Sequence, residues 1–443
     1  MWYPNIKLSR RIRLSIMTTL IASFFIISPL ILLYTAGYRF DLYTWHVRQT
    51  GVITIDAEPT DATVLLQNIR LDKSIPVRLP NRAPGFYKLV IEREGYLPWH
   101  KTIQVESKQT TYATDIFLFT DALPTFEHAS LEDLVSTTYS PDGQYVVSLL
   151  MQDSNAYEVV LYDITLQKED VVWRGETEHE PTLVWSLHAP LLAILVNDTT
   201  NITIETIDAT NSTDGQTYIV KATSTPTVQW HEHGNNILYV QAEGDILALS
   251  NGSTRVQYSV TSSLWFVDSN ADVWSISNSH ELFRNEKSVI SHVKDEYITD
   301  IIDTRSTHLL ARGKNDIRLL WFDTGETTIV PASNMFPRTY GKNWSTWILW
   351  SEWEVRELVE SGDVTLLTRT NQPLQDVSAS TKHETLFFAF ENHINAFHPH
   401  YRTTHTLFEG NEQIKNIATQ KNGDYIIFDT SINGKSGTYK RTL

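Results

Sequence analysis

The chain has 443 residues, with 36 basic and 52 acidic side chains, a formal net charge of −16 and no cysteine. The acidic balance argues against binding to nucleic acid or anionic lipid, because both are bound through phosphates that Lys and Arg neutralise. The absence of cysteine excludes disulfides, thiolate catalysis and cysteine zinc sites, while 41% hydrophobic residues can fill the cores of about two or three domains.

Residues 14–37 form an apolar run without a charged side chain, which predicts a transmembrane helix. At about 1.5 Å per residue, the run is long enough to cross a hydrocarbon core of about 30 Å. Its Leu, Ile and Phe residues contribute on the order of −4 to −7 kcal/mol to insertion. The membrane-spanning residues include Leu14, Leu20, Phe24, Phe25, Ile31 and Leu33.

The flanking charges predict the orientation of this helix. No acidic residue occurs before Asp41, so the positive-inside bias places residues 1–13 in the cytoplasm and the bulk of the chain outside. The residues that set this topology are Lys7, Arg10, Arg11 and Arg13. A cleavable signal peptide is the alternative, but the run exceeds an h-region of about 7 to 15 residues, and Tyr34 is bulky at the −3 position. We therefore expect an uncleaved, single-pass anchor in the cell membrane.

Residues 38–50 are a juxtamembrane linker whose aromatic residues alternate with charged ones. This composition is typical of the belt at a membrane interface, although a packed linker has the same composition. The aromatic residues are Tyr38, Phe40, Tyr43 and Trp45.

Residues 51–120 contain short segments in which apolar residues alternate with polar ones, separated by turn residues such as Pro84, Gly85 and Gly95. This pattern predicts a small antiparallel β-sandwich. Core and turn residues follow one another here in the order Gly51, Ile53, Ile55, Pro59, Ala62, Val64, Pro76, Leu79, Pro84, Gly85, Tyr87, Val90, Gly95, Tyr96 and Trp99. This order resembles the PEGA domain, a β module of bacterial and archaeal surface proteins. The resemblance implies a binding or spacer module without catalytic residues.

Residues 121–443 repeat a strand-rich unit about every 40 residues, which is the signature of a β-propeller with four strands per blade. Eight units are recognisable, and seven blades remain an alternative because the fourth unit is the least complete. The units are 139–164, 183–208, 228–250, 263–277, 298–323, 345–359, 376–399 and 417–442.

Individual turns of these units resemble those of TolB-like and WD-repeat-like propellers. The SPDG segment at 140–143 resembles a hairpin turn, and the triplets at 161–163 and 321–323 resemble third-strand endings. The last unit ends at its third strand, so its outermost strand must come from elsewhere or leave an open edge. We expect residues 124–134 to supply it.

Several polar clusters are candidate metal or ligand sites. His231 and His233 could contribute to a zinc site, but a polar turn also explains them. Asp268, Asn270 and Asp272 have the oxygen spacing of a calcium loop without its glycine, which favours a hairpin turn. Histidines that fit surface strand positions are His393, His398, His400 and His405.

Four tryptophans recur at intervals of three residues, at Trp344, Trp347, Trp350 and Trp353. On a propeller strand, successive members of the set fall on opposite faces and pack between blades. The alternative is an exposed aromatic platform for a sugar or a peptide.

These patterns predict a mainly β protein with an N-terminal transmembrane helix, a PEGA-like sandwich and a C-terminal propeller. We expect a binding or scaffold protein of the bacterial cell envelope whose propeller face engages a protein or glycan partner, with no cofactor and no nucleic acid. The alternative is a propeller enzyme, a lyase or a glycan hydrolase, acting in the central funnel. Buried carboxylates that face one another there would favour the enzyme, and a shallow aromatic patch would favour binding.

Overall fold

A computed structural model describes residues 9–35, 38–41, 46–129, 133–198, 200–221, 226–231, 236–260, 262–291, 293, 298–330, 336–340 and 346–443. The chain divides into two compact units, Met1–Asp121 and Ala122–Leu443.

Helix α1 (Arg10–Thr35) covers most of the apolar run and begins four residues before it. The run was expected to start the helix at residue 14, but the preceding arginines are good helix formers and extend it. Hydroxyl groups within the helix donate to carbonyls of the preceding turn, as Thr18 Oγ1 does to Leu14 O at 2.9 Å. These bonds reduce the cost of polar side chains in an apolar segment. Gly37, the last residue of the expected span, lies outside the described residues.

A short hairpin follows the helix. It consists of β1 (Tyr38–Asp41) and β2 (His46–Gln49), paired so that Tyr38 faces Gln49.

The sandwich of the first unit has a three-stranded and a four-stranded sheet, in the orders β6-β3-β9 and β5-β4-β7-β8. Alternate residues such as Ile53, Ile55 and Leu89 are fully buried between the sheets, which confirms the period of two. The strands are β3 (Gly51–Glu58), β4 (Thr63–Leu66), β5 (Ile69–Arg70), β6 (Val77–Arg82), β7 (Gly85–Glu92), β8 (Trp99–Val105) and β9 (Thr110–Phe117).

The expectation of a purely antiparallel sandwich is wrong at one pair, because β3 and β9 run parallel. Alternation identifies the faces of a strand but not its partner, and these two strands are distant in sequence. The turn between β4 and β5 lacks the family's usual Asp-Gly. Gln67 and Asn68 instead adopt φ values of 54° and 62°, which suit a two-residue type I′ hairpin.

The described residues of the second unit form eight four-stranded antiparallel sheets, which are the blades of a propeller. Seven of them are meanders of consecutive strands. Strand β10 (Thr125–Ala129) precedes blade 1, and blade 1 comprises β11 (Leu134–Tyr139), β12 (Tyr145–Asp153), β13 (Ala156–Asp163) and β14 (Lys168–Glu176). Blade 2 comprises β15 (Thr182–Trp185), β16 (Leu191–Asn197), β17 (Asn201–Asp208) and β18 (Gln216–Lys221), with a short 3₁₀ helix at Ala209–Asn211.

Blades 3 to 5 follow the same pattern. Blade 3 comprises β19 (Val228–Trp230), β20 (Leu238–Ala242), β21 (Asp245–Ser250) and β22 (Ser253–Ser259). Blade 4 comprises β23 (Leu264–Val267), β24 (Val273–Ile276), β25 (Leu282–Arg284) and β26 (Lys287–Ile290). Blade 5 comprises β27 (Asp300–Thr304), β28 (His308–Arg312), β29 (Ile317–Trp321) and β30 (Thr327–Val330).

The remaining strands complete blades 6 to 8. Blade 6 comprises β31 (Phe336–Tyr340), β32 (Thr346–Trp350), β33 (Glu354–Leu358) and β34 (Val364–Arg369). Blade 7 comprises β35 (Asp376–Ser380), β36 (Thr385–Ala389), β37 (His393–His398) and β38 (Thr403–Glu409). Blade 8 contains β39 (Lys415–Thr419), β40 (Tyr425–Ile432) and β41 (Lys435–Thr442). The fourth unit is thus a full blade, and the described residues of the second unit form eight blades.

Strand β10 completes blade 8 by pairing with β41, as expected for residues 124–134. Phe126 packs edge-on against Tyr439 at 5.3 Å, and Lys440 pairs with the buried carboxylate of Glu127 at 2.8 Å. On β40 and β41, Thr438 donates to the half-buried Asp429 at 2.7 Å. The ring is therefore closed by a sheet that joins its first strand to its last.

A second contact closes the ring at the turn between β11 and β12. Gly143 has a φ of 64°, its N–H donates to Ser140 O at 3.0 Å, and Lys421 N donates to Asp142 O at 2.9 Å. The predicted turn chemistry of SPDG is confirmed, and the same turn joins blade 1 to blade 8.

Tryptophans of β32 pack between blades, as the three-residue spacing predicts. Trp347 joins a cluster with Leu310 and Leu319 of blade 5, whereas Trp350 joins one with Phe388 of blade 7. Trp353 is 50% exposed at the following turn, and Trp344 lies outside the described residues.

Candidate binding site in the propeller channel

A cavity of 700 Å³ lies along the innermost strands of blades 2 to 5 and reaches Trp347 of blade 6. Sites for small ligands typically have about 300 to 1,000 Å³. The first strand of each blade lines the channel of a propeller, so this cavity is part of the central funnel. Its wall combines aromatic rings with charged groups.

Two of its tryptophans end the inner strands of neighbouring blades, Trp185 on β15 and Trp230 on β19. Trp230 is buried, and its indole N–H donates to Val184 O at 3.0 Å. This bond ties the inner strand of blade 3 to that of blade 2. The aromatic wall is therefore held by the ring itself and is pre-formed.

A buried carboxylate fixes the blade 5 side of the cavity. Asp303 is 3% exposed and accepts from the indole N–H of Trp347 at 2.7 Å, from Thr304 N at 2.7 Å, and from Arg305 at 2.9 Å. Since a buried carboxylate is tolerated only when it is paired and hydrogen-bonded, these partners hold the Asp303 side chain in place.

A second carboxylate, that of Asp300, lies at the other end of β27 and faces Arg312 across the β27–β28 ladder. Asp300 is exposed at the start of the strand, yet desolvation by the surrounding protein raises the pKa of its carboxyl, while the nearby Arg312 guanidinium opposes this shift. Each carboxylate of the cavity thus has an arginine beside it. The pairing leaves the wall nearly neutral.

The side chain of the lining residue Gln229 makes hydrogen bonds that hold two blades together. Its side chain donates to Val267 O at 2.7 Å and accepts from Val267 N at 2.8 Å, which links blade 3 to blade 4. His188 and Arg305 follow the ends of β15 and β27, whereas Asp300 and Arg312 lie at the opposite end of the β27–β28 pair, so the lining has ionisable groups at both ends of these strands.

Other residues singled out by the sequence lie elsewhere. His231 is buried against Tyr239, and His233 lies outside the described residues. Asp268 accepts from the backbone of Asn270 and Asp272 at 2.9 and 3.0 Å, so it organises a hairpin turn. Among the residues that the structure describes, no group of three acidic or imidazole side chains could hold a metal ion.

The histidines of the seventh blade occupy strand and turn positions. His393 and His398 are half-buried on β37, His405 is half-buried on β38, and His400 is exposed in the connecting turn. His393 stacks on Phe390 at 4.3 Å, and burial lowers its pKa. They form no common site.

Helix α1 carries the residues predicted to span the membrane. All six have between 41% and 71% of their surface exposed, and no other part of the described chain covers them. Arg10, Arg11 and Arg13 lie in the first turns of the helix, and Lys7 lies outside the described residues.

Apart from Trp347, the sequence analysis did not identify the residues of the cavity. Trp185 and Trp230 occupy the same position in successive units, at the end of the first strand, and this repetition was a signal that could have found them. Asp303 and Arg305 carried no such signal, because the partner Trp347 is 44 residues away.

The sequence of residues 50–117 matches the family model of the PEGA domain. No curated protein matches the chain. Among solved structures, the C-terminal WD40 domain of Sif2 is similar over 72% of this chain and 99% of its own, with 12% identity and a TM-score of 0.47.

Two further structures are similar over 72% of this chain. The β-propeller domain of Myceliophteria thermophila Cps50 (Swd1) is covered to 100%, with 11% identity and a TM-score of 0.45. Kuenenia stuttgartiensis hydrazine synthase is covered to 98%, with 10% identity and a TM-score of 0.38. Residues 50–117 are therefore a PEGA domain, and an eight-bladed β-propeller follows it in the chain.

Proposed function

We propose that this protein is a membrane-anchored, extracytoplasmic binding or scaffold protein of the bacterial cell envelope, whose propeller engages a protein or glycan partner. The observation that carries the proposal is the combination of an exposed apolar helix with a PEGA domain and a propeller that holds a pre-formed cavity. A PEGA domain joined to a propeller suits a protein-interaction role.

The surface of α1 supports the anchor. Its apolar side chains are exposed on all sides, with Phe25 at 71% and Leu20 at 64%. A helix that is apolar all round is stable in lipid and not in water. The basic residues at its start support a cytoplasmic N-terminus, with the PEGA domain and the propeller outside.

The chemistry of the cavity supports binding over catalysis. Acid–base catalysis by two carboxylates needs one that holds a proton and one that is free to accept a proton or attack. Here Asp303 is committed to Trp347 and Arg305, and Asp300 faces Arg312. The aromatic wall and the paired charges favour a neutral, partly apolar surface of a partner.

Protease treatment of intact spheroplasts tests the topology, with a tag at each end of the full-length chain. We expect the C-terminal tag to be lost and the N-terminal tag to stay in the membrane fraction until the cells are lysed. Recovery of the whole chain in the soluble fraction would refute the anchor.

Cross-linking in intact envelopes tests the binding role. We expect the wild-type chain to capture an envelope protein or glycan, and Arg312→Gln to reduce this capture. Arg174→Gln is the matched control, because Arg174 pairs with Glu158 across two strands of blade 1, away from the cavity. Equal capture by both variants would exclude the cavity as the binding site.

A further inference from the structure

The hairpin between α1 and the PEGA domain keeps that domain close to the end of the helix. Because Tyr38 faces Gln49, the whole hairpin adds only the width of one strand pair, about 5 Å, to the path. The residues from Thr35 to Tyr38 and from Gln49 to Gly51 add at most about 18 Å. Gly51, the first residue of the sandwich, therefore lies within about 23 Å of the last residue of the helix.

Contacts fix the hairpin to the loop between β8 and β9. The Lys108 ammonium lies 5.3 Å from the centre of the Tyr38 ring, and Gln49 donates to the Tyr38 hydroxyl at 2.6 Å. Lys108 N also donates to Thr50 O at 3.0 Å. This end of the sandwich is thereby held against the hairpin that follows the helix.

The same end carries a group of cations, which we call the basic end: Arg48, Arg82 and Lys108. Arg82 faces Gly51 across the β3–β6 ladder, and Arg48 is exposed just before β3. The Arg82 Nε atom is buried and has no hydrogen-bond partner in the described part of the chain. Glu106 is the acidic residue of the adjoining loop.

The opposite end of the sandwich has the reverse charge. There β3 and β7 end at Glu58 and Glu92, the following turns bring Asp61 and Glu94, and Arg93 is paired with Asp61 at 2.8 Å. The domain therefore has a positive end next to the helix and a negative end away from it.

Exposed apolar side chains also mark the basic end. Phe86, at the start of β7, and Ile69, after the β4–β5 turn, are each 68% exposed. The Gln67 side chain donates to Phe86 O at 3.0 Å, so this turn lies beside the start of β7. Aromatic and aliphatic side chains next to cations are typical of surfaces that lie on a membrane interface.

We propose that the basic end of the PEGA domain docks on the anionic phospholipid headgroups of the membrane that holds the helix. The inference rests on the proposed membrane anchor. Headgroups extend about 5 to 8 Å beyond the hydrocarbon core, and their potential acts over about another 8 to 10 Å, so the tether brings the basic end within reach. The net negative charge of the chain does not oppose this contact, because three cations outnumber Glu106 at the basic end, while Glu58, Asp61, Glu92 and Glu94 lie at the other end.

The absence of cysteine makes a single-site probe possible in the full-length chain. A nitroxide on Gln109→Cys, beside Lys108, reports its depth in nanodiscs through its accessibility to oxygen and to a water-soluble nickel complex. We expect this probe to lie in the headgroup zone when phosphatidylglycerol is present, and to move into water in phosphatidylcholine alone or at high salt. A probe on Thr60→Cys, at the acidic end, should stay in water throughout.

Substitution of the basic end should release it. Each cation near an anionic surface contributes roughly a fivefold preference, so Arg48→Gln, Arg82→Gln and Lys108→Gln together should lower the equilibrium constant for docking about a hundredfold. The matched control replaces cations elsewhere in the domain, Lys73, Arg78 and Arg93, with Gln and should leave the probe in place. If the triple variant does not fold, a salt titration of the chain with an unsubstituted basic end tests the same contact, because high salt should move the Gln109→Cys probe into water.

The outcomes separate this inference from the anchor. A probe on Phe25→Cys that is accessible to oxygen and not to nickel shows that the helix spans the bilayer. If the helix spans the bilayer and the Gln109→Cys probe is equally accessible to nickel with and without phosphatidylglycerol, docking is refuted and the anchor stands. If the Phe25→Cys probe is itself in water, both are refuted.

Discussion

Replacement of Gly143 by alanine tests the closure of the ring at a single backbone position. A Cβ atom at Gly143 would lie 2.7 Å from the carbonyl carbon and oxygen of Thr419, on the inner strand of blade 8. Backbone cannot rotate away as a side chain does. The substitution should therefore push the turn of blade 1 away from blade 8.

Two costs add at this position. A φ of 64° costs an alanine about 1 kcal/mol relative to glycine. The overlap with Thr419 adds a further 1 to 3 kcal/mol, which is the usual range for overpacking a well-packed contact. We expect Gly143→Ala to lower the free energy of unfolding by about 2 to 4 kcal/mol.

Gly434→Ala is the matched control, since Gly434 has a φ of 76° in the β40–β41 turn and no atom within 4 Å of its Cβ position. This change should cost only the backbone term, about 1 kcal/mol. Urea unfolding followed by tryptophan fluorescence gives both midpoints. Equal shifts for the two variants would refute the close contact between blades 1 and 8.

Three further predictions concern the closure and the cavity. Lys440→Met should destabilise the fold by about 3 kcal/mol, because it leaves the buried carboxylate of Glu127 unpaired, and adding Glu127→Gln should restore part of the loss in a double-mutant cycle. Trp347→Phe should cost about 1 to 3 kcal/mol in the same unfolding assay, since Asp303 loses a donor; an unchanged midpoint would contradict the bond. Burial raises the pKa of Asp429 from its ordinary 3.8, so its contribution to stability is present at low pH and is lost as pH rises through the raised value. Asp429→Asn lacks this dependence. The urea midpoint of the variant should therefore rise relative to that of the wild type as pH increases above 3.8, and a constant difference between the two midpoints would show that Asp429 titrates normally.

Most of the fold was predictable because local patterns in the sequence indicate its strands and blades. Alternation marks the strands of the sandwich, and the repeat of about 40 residues marks the blades. The missing outer strand of the last unit pointed to residues 124–134, which contain β10. Local patterns do not state which distant strand is the partner, so the parallel pairing of β3 with β9 was not predicted.

The cavity was harder to predict than the ring around it. Its wall forms only after separate blades pack together, as Asp303 of blade 5 and Trp347 of blade 6 do. The charge of the PEGA domain is a similar case. Composition describes the chain as acidic, whereas the topology places Arg82 and Lys108 at one end and Glu58 and Glu92 at the other.

The pairing of β10 with β41 has a consequence for biogenesis. Thr125 Oγ1 donates to Lys440 O across 315 residues of sequence, so the two halves of that sheet leave the ribosome far apart in time. A chain that is exported as it is made presents β10 as a bare edge, open to wrong partners, while the intervening blades are still being translated. Assembly of the complete ring must therefore wait for the last strand.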